Sequence, residues 1–344
     1  MRVALDLQLG VGTATGIGEY ASGAAAALRA RGIEVVPLHA PRLDPWRFDR
    51  RVIWDQALLP LAALRAGADL VHFASGTMPL LRLRAPSVVT VHDVAWLRVQ
   101  GHVRPYARWY FGAFALARYR TATRIVVDSA FSRDELLALG GFDPGRVDVV
   151  APGVASDIAA VERRPAAEPY VLAVGTIERR KNLEVAIRAL AGSRTPLVAV
   201  GPPTPYRERC AELARACGTT LVFRGYVGRA ELLALYAGAA LAIVPSRYEG
   251  FGYGAAQALC AGVPLLAAET SSLPEVVGDD APLLPPDDAG AWRDAIARIL
   301  AGPAAAERHA AEVRDAARAR LGWAASGADL ERAYRKALGT GGPQ

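Results

Sequence analysis

Lysine is nearly missing from this 344-residue chain: Lys181 and Lys336 are the only two among 40 basic residues. Alanine is correspondingly abundant, as in proteins encoded by GC-rich genes, so part of the arginine excess carries no functional information. The balance of 40 basic against 34 acidic residues still gives +6, which favours anionic partners such as phosphate-bearing ligands or anionic lipid. Nucleic acid is excluded as a partner, because no helix-turn-helix, zinc-finger or aromatic-basic RNA signature is present. Cysteine is also scarce. Cys210, Cys217 and Cys260 have spacings that fit neither a zinc site nor a disulfide framework, and each reads as a small buried hydrophobe. No run approaches the ~18 apolar residues of a membrane span. The start, Met1 to Asp6, lacks the basic segment and cleavage site of a signal peptide, so a cytoplasmic protein is expected.

What is present is the composition of an ordinary globular protein, 52% hydrophobic and 22% charged. At about 150 residues per domain the length predicts two domains. Short β-branched runs alternate with alanine- and leucine-rich helical stretches throughout. Predicted strands in the first half are Val3–Leu7, Ile33–Leu38, Leu70–Phe73, Val88–His92, Arg124–Asp128 and Val147–Val150. In the second half they are Tyr170–Gly175, Leu197–Val200, Leu221–Phe223, Leu241–Val244 and Leu265–Ala267. Nearly all are continuous apolar runs, as expected of parallel strands covered on both faces. The pattern predicts α/β architecture with doubly wound sheets. A polar, proline-flanked stretch at Asp157–Pro169 reads as a linker. The predicted domains are 1–160 and 165–322, with an amphipathic helix and tail at 323–344 that can pack back across either half, the N-terminal domain being the expected one. In such sheets ligands lie beyond the carboxyl ends of the strands, so the loops there should carry the chemistry.

Four of these loops stand out. After the first strand, Gly10–Tyr20 is glycine-rich, and Gly16-Ile17-Gly18-Glu19-Tyr20-Ala21 formally fits a dinucleotide fingerprint. It opens too long after its strand, and the acidic residue expected at the end of the next strand is missing. Val91-His92-Asp93 puts a histidine at a strand's carboxyl end, where it can donate to a hydroxyl or move a proton. Thr176–Asn182 places Arg179, Arg180 and Lys181 before a helix, against the macrodipole, so helix stability does not account for them. Pro245–Gly254 sets Glu249 in a strand-to-helix turn followed by Gly250, Phe251 and Gly252. A carboxylate there can accept from sugar hydroxyls, while the glycines allow close backbone approach. Cationic turn and carboxylate turn together read as a nucleotide-sugar site.

These motifs resemble retaining GT-B glycosyltransferases of family 4, especially bacterial mannosyltransferase-like members. The resemblance runs in family order through Thr15–Tyr20, Val91–Asp93, Val127–Ser132, Val174–Asn182, Arg224–Val227, Pro245–Gly252 and Ser272–Val277. It implies two Rossmann-like domains facing a cleft, the first holding the acceptor and the second the donor. By the family pattern Arg180 and Lys181 hold the donor diphosphate, with Gly16 and Gly18 closing over it. Glu249, Gly250, Phe251 and Gly252 bind the transferred sugar, His92 contacts it near the reacting carbon, and Tyr226 and Val227 edge the base. The implied donor is a GDP-, UDP- or dTDP-sugar. The acceptor is a hydroxyl of a sugar, a lipid-linked sugar or a natural product, and neither metal nor cofactor is required.

One departure bears on donor choice. The family usually carries a second glutamate, on the ribose hydroxyls, where this chain has Gln257. An amide offers one acceptor where a carboxylate offers two, and neutral bonds are weaker. Gln257 therefore reads either as a tolerated change or as a preference for a deoxythymidine donor. No pair of carboxylates is placed as in retaining glycosidases, so the implied mechanism is attack on the face from which the diphosphate leaves. Two rival readings remain: a nucleotide-sugar epimerase or hydrolase, and a catalytically weak donor-binding homologue. Finally, residues 98–120 carry five arginines, no acid and interleaved aromatics, a pattern suited either to anionic membrane or to internal packing.

Overall fold

A computed structural model of the chain describes residues 1–11, 16–99 and 105–339. It divides into two units, Met1–Gly153 with Gly322–Gln344, and Val154–Leu321. The division falls at Gly153, so the polar stretch 157–169 lies inside the second unit rather than between units. Arg163 anchors it there, donating to the carbonyls of Tyr236, Ala237 and Ala239 and pairing with Glu307 at 2.5 Å. A run without apolar periodicity is thus fixed by one guanidinium satisfying helix-end carbonyls.

The first unit holds a six-stranded parallel sheet in the order β2-β1-β3-β4-β5-β6. Its strands are β1 (Arg2–Asp6), β2 (Glu34–Leu38), β3 (Leu70–Phe73), β4 (Ser87–Val91), β5 (Arg124–Val127) and β6 (Val147–Val149). Alternate strand residues feed two cores, because successive side chains point to opposite faces. Ala4, Val71, Phe73, Val89, Val91, Ile125 and Val127 join Trp54, Leu59 and Leu136 on one face. Val3, Leu5, Leu70, Val88 and Val126 join Tyr20 and Leu28 on the other, together with Leu330, Ala333 and Tyr334 of the helix Trp323–Ala337. That last helix is therefore part of the first unit, and its heptad-like apolar stripe is buried along the helix Gly16–Ala30.

The second unit repeats the plan in the order β12-β11-β10-β7-β8-β9. Its strands are β7 (Val171–Val174), β8 (Leu197–Val200), β9 (Leu221–Gly225), β10 (Leu241–Val244), β11 (Leu265–Ala268) and β12 (Leu283–Leu284). Every pairing in both sheets is parallel. Both units are doubly wound α/β folds. All eleven strands expected from sequence are present, most with ends moved by a residue or two. The twelfth, β12, has two residues and too little pattern to be seen in sequence. Strand order reverses between β1 and β3 in the first sheet and between β7 and β10 in the second. These reversals open the crevices where ligands of such folds bind. No helix among the described residues is long and apolar enough to cross a membrane.

Candidate active site

In the second unit the two loops singled out from sequence, after β7 and after β10, flank the reversal and meet there. Residues Arg179–Lys181 form a single 3-10 turn, closed by Asn182 in the left-handed conformation at φ 53°. Asparagine tolerates that geometry. Its side chain donates to the carbonyls of Pro245 at 3.0 Å and Pro286 at 2.7 Å, tying the cationic turn to the β10 loop. A backbone bond from Arg247 to the Arg180 carbonyl adds a second tie, 2.8 Å.

Glu249 is the centre of this arrangement. Lys181 Nζ donates to its Oε1 at 2.6 Å and Arg180 Nη1 to its Oε2 at 3.2 Å. Ser246 Oγ also donates to Oε1, 2.7 Å, and the Glu249 amide donates to Ser271 Oγ at 3.0 Å. Ser272 Oγ donates to the carbonyls of Glu249 and Phe251, fixing the turn from behind. Burial alone would raise the Glu249 pKa, but attraction by Lys181 and Arg180 prevails and holds it below the usual carboxylate range. Burial pushes the Lys181 ammonium down, with Glu249 opposing. The carboxylate is nearly buried at 7% side-chain exposure, whereas Arg180 and Lys181 keep 22% and 23%. The two cations are thus held on a carboxylate but remain reachable by an incoming anion. Arg180 also pairs with Glu178 through Nε, 2.8 Å. Arg179, by contrast, is exposed on the outside of the turn.

Gly250, Phe251 and Gly252 are buried at the start of the helix Tyr253–Ala261. Gly252 has φ 103°, and a Cβ there would come within 2.7 Å of Leu273 Cδ2, so only glycine fits. Gln257 is buried in the same helix, and Tyr236 donates its hydroxyl to Gln257 Oε1 at 3.0 Å. Tyr226 and Val227 follow the edge strand β9, Tyr226 being half exposed. The structure brings Arg180, Lys181 and Glu249 into direct contact. The sequence motifs include Asn182, Ser246 and Ser272 without a reason to single them out, and Ser271 lies outside them. Ser246, Ser271 and Ser272 are recognisable only from the backbone groups that they satisfy.

In the first unit His92 lies just past β4 and is held at both ring nitrogens. Nδ1 contacts Asp128 Oδ2 at 2.7 Å and Nε2 contacts the Ala74 carbonyl at 2.9 Å. Burial disfavours the charged ring, but the Asp128 carboxylate and the Ala74 carbonyl outweigh it and raise the His92 pKa. Nε2–H therefore donates to a carbonyl of its own unit. Tyr20 packs edge-on against the ring, centroids 4.9 Å apart. Behind it runs a buried chain from Tyr20 to Thr90, 2.9 Å, from Thr90 to His72, 2.7 Å, and from His72 to Tyr334, 2.6 Å. Nothing local marks Asp128 as the partner, because it is remote in sequence and adjacent only through the β4–β5 pairing. Gly16 opens its helix exposed, and Thr15 lies outside the described residues. Gly18 is buried where a Cβ would stand 2.4 Å from the Leu9 carbonyl oxygen, so close packing alone demands glycine there.

The reversal between β1 and β3 is occupied by the protein's own charges. Arg51 Nε–H is shared between the two carboxylate oxygens of Asp55, each at 2.9 Å, and Nη2 donates to Ser75 Oγ at 2.7 Å and Thr77 Oγ1 at 2.6 Å. Asp6 accepts from Ser75 Oγ, the Gln8 amide and Trp54 Nε1. Tyr110 closes the network on Asp55 at 3.0 Å. Within the 98–120 stretch Tyr110 is stacked on Phe114 and meets Phe111 edge-on, and Phe111 also packs on Trp96 just before it. Tyr106 and Trp109 remain 44% and 58% exposed.

Comparison with known proteins places these two units in a family. Residues 155–320 match the family described as glycosyl transferases group 1, and residues 14–157 match Glycosyltransferase Family 4. A D-inositol 3-phosphate glycosyltransferase of Mycolicibacterium smegmatis is 32% identical over 237 residues, 63% of this chain and 54% of that protein. The chain spans about half the length of the curated relatives that it matches. Sucrose-phosphate synthase from Thermosynechococcus elongatus has a similar fold, with TM-score 0.77 and 23% identity over 98% of this chain and 99% of that one. So has Anabaena HepE, solved with UDP-glucose, at TM-score 0.71 and 16% identity over 98% and 100%. The chain belongs to the glycosyltransferases of the family 4 type and has their GT-B fold.

Proposed function

We propose that the protein transfers a hexosyl group, mannose or a related sugar, from a nucleotide sugar to an acceptor hydroxyl with retention of configuration and without a metal ion. The contact of Arg180 and Lys181 with Glu249 at the β7–β10 reversal carries this reading. An arriving diphosphate exchanges for the carboxylate as partner of the two cations, and the freed Glu249 oxygens accept from sugar hydroxyls. Charge that develops on the departing diphosphate is then stabilised by groups already in place, in a partly water-excluded site. These two cations do the electrostatic work that a divalent ion would otherwise do. His92 takes part by releasing the Ala74 carbonyl and donating Nε2–H to a substrate hydroxyl, while Asp128 keeps the ring oriented.

Donor choice rests on Gln257. Its carbonyl oxygen already accepts from Tyr236, so a ribose 2′-hydroxyl gains less there than on a carboxylate. A deoxythymidine donor forgoes little by lacking that hydroxyl. Calorimetric and thermal-shift titration with UDP-, GDP-, ADP- and dTDP-sugars, each with and without EDTA, tests both points. Selective binding of one donor, unchanged by EDTA, is the expected result. Absence of binding across the panel overturns the donor site, and a need for metal overturns the metal-free mechanism. UDP- or GDP-sugars binding well while dTDP-sugars do not removes the deoxythymidine preference. The acceptor belongs to the first unit on the family pattern, and the exposed Trp109 and Tyr106 suit peripheral contact with anionic membrane during work in the cytoplasm.

A further inference from the structure

Most arginines on this protein have a carboxylate within reach, as in the pairs Arg124–Asp148, Arg229–Asp157, Arg247–Asp287 and Arg320–Asp280. One group does not. A cavity of about 470 Å³ opens in the first unit between the β3–β4 connection and the turns that precede β5 and β6. Arg82, Arg84, Arg118, Arg120 and Arg146 line it, and no acidic residue does. Three of the five are positioned by backbone carbonyls rather than by acids. Arg118 Nε donates to Pro79 O at 3.0 Å, Arg120 Nη2 to Gly140 O at 2.9 Å, and Arg146 Nε to Thr123 O at 3.3 Å. Carbonyls orient a guanidinium without neutralising it, so the positive charge stays in the cavity. Burial and then the neighbouring charge of Arg82 press the Arg118 pKa downward, as expected of like charges gathered without a counterion.

Like charges brought together by a fold raise its energy unless something compensates them. The cavity lies at the amino ends of β4 to β6, the end of the sheet opposite His92 and Asp128. It is therefore separate from the groups assigned to catalysis. We infer that this arginine-lined cavity of the first unit binds a phosphate-bearing ligand, either a soluble phosphate compound or the phosphate of a lipid headgroup. Planar guanidiniums with several donors suit phosphate oxygens, and the volume is that of a small-ligand site rather than of a single ion. The inference stands independently of the donor assignment in the second unit.

Hydrogen exchange of the full chain provides a local readout, because the probe also meets Arg180 and Lys181 elsewhere. Inorganic pyrophosphate is added in one arm and phosphatidylglycerol vesicles in the other, with phosphatidylcholine vesicles as control. Slowing of exchange by at least about threefold across residues 79–86 and 118–123 is expected, weakening as salt is raised. The double variant R82Q/R84Q removes two exposed side chains that hold no other partner among the described residues, and should raise the Kd at least about tenfold. The Lys181→Ala variant should leave this protection intact, which keeps the two sites apart. Protection by pyrophosphate identifies a soluble phosphate compound. Protection by anionic vesicles alone identifies a headgroup. No protection in either arm, or equal protection in R82Q/R84Q, overturns the inference.

Discussion

The two sheet reversals use charge in opposite ways. At β1–β3 the Arg51–Asp55–Asp6 group is fully enclosed, with Arg51 at 4% and Asp55 at 0% exposure, and every charge meets a partner from its own unit. At β7–β10 the carboxylate of Glu249 is enclosed but its two cations reach solvent. Enclosed charge holds a crevice in shape, because losing one partner strands the other in low dielectric. Partly exposed charge can change partners at smaller cost. The same architecture thus supplies one reversal with structure and the other with a binding surface.

That contrast is broken most directly by Arg51→Ala, which leaves Asp6 and Asp55 buried without their guanidinium. It should destabilise the protein by about 3–5 kcal/mol in urea unfolding. A loss under 1 kcal/mol would mean that the network is dispensable. Lys181→Ala and Glu249→Ala should do the reverse. Each should lower turnover with the cognate nucleotide sugar at least about a hundredfold, while the urea midpoint moves less than in Arg51→Ala. Near-wild-type turnover in either variant removes that residue from the mechanism.

A comparison within the first unit gives smaller effects of opposite sign. His72 is fully buried, and burial followed by the nearby His92 lowers its pKa to about 3. The unfolded state therefore binds a proton below about pH 6.5 that the folded state refuses, and stability falls by about 1.4 kcal/mol per pH unit downward from there. His92 has a raised pKa, so its contribution is complete below the unfolded value and is lost as pH rises through the folded one. Unfolding free energies at pH 5 and 7.5 should converge in His72→Gln and diverge in His92→Gln, relative to wild type. An unchanged pH dependence in His72→Gln would show that His72 is protonated in the fold. The smallest effect is expected from Tyr236→Phe. Loss of one neutral hydrogen bond to Gln257, about 1 kcal/mol, should alter donor KM roughly fivefold with kcat unchanged.

Strand content, the doubly wound architecture and the two charged loops were legible in the sequence because each depends on local order. Continuous apolar runs mark parallel strands wherever both faces are covered, and the cationic and glycine-rich turns announce themselves by composition. The terminal helix showed its stripe in sequence, but only packing against Gly16–Ala30 assigned it to the first unit. What sequence could not supply were the partnerships between distant residues. Lys181 reaches Glu249 because β7 and β10 are neighbours in the sheet, His92 reaches Asp128 because β4 and β5 are, and neither adjacency has a local signature. The arginine cavity is of the same kind, its five cations drawn from three separate connections. Composition and periodicity determined which elements form and which residues are chemically able. Strand order decided the long-range partnerships of Lys181 with Glu249 and of His92 with Asp128, since pairing across a sheet depends on the contact of segments far apart in the chain.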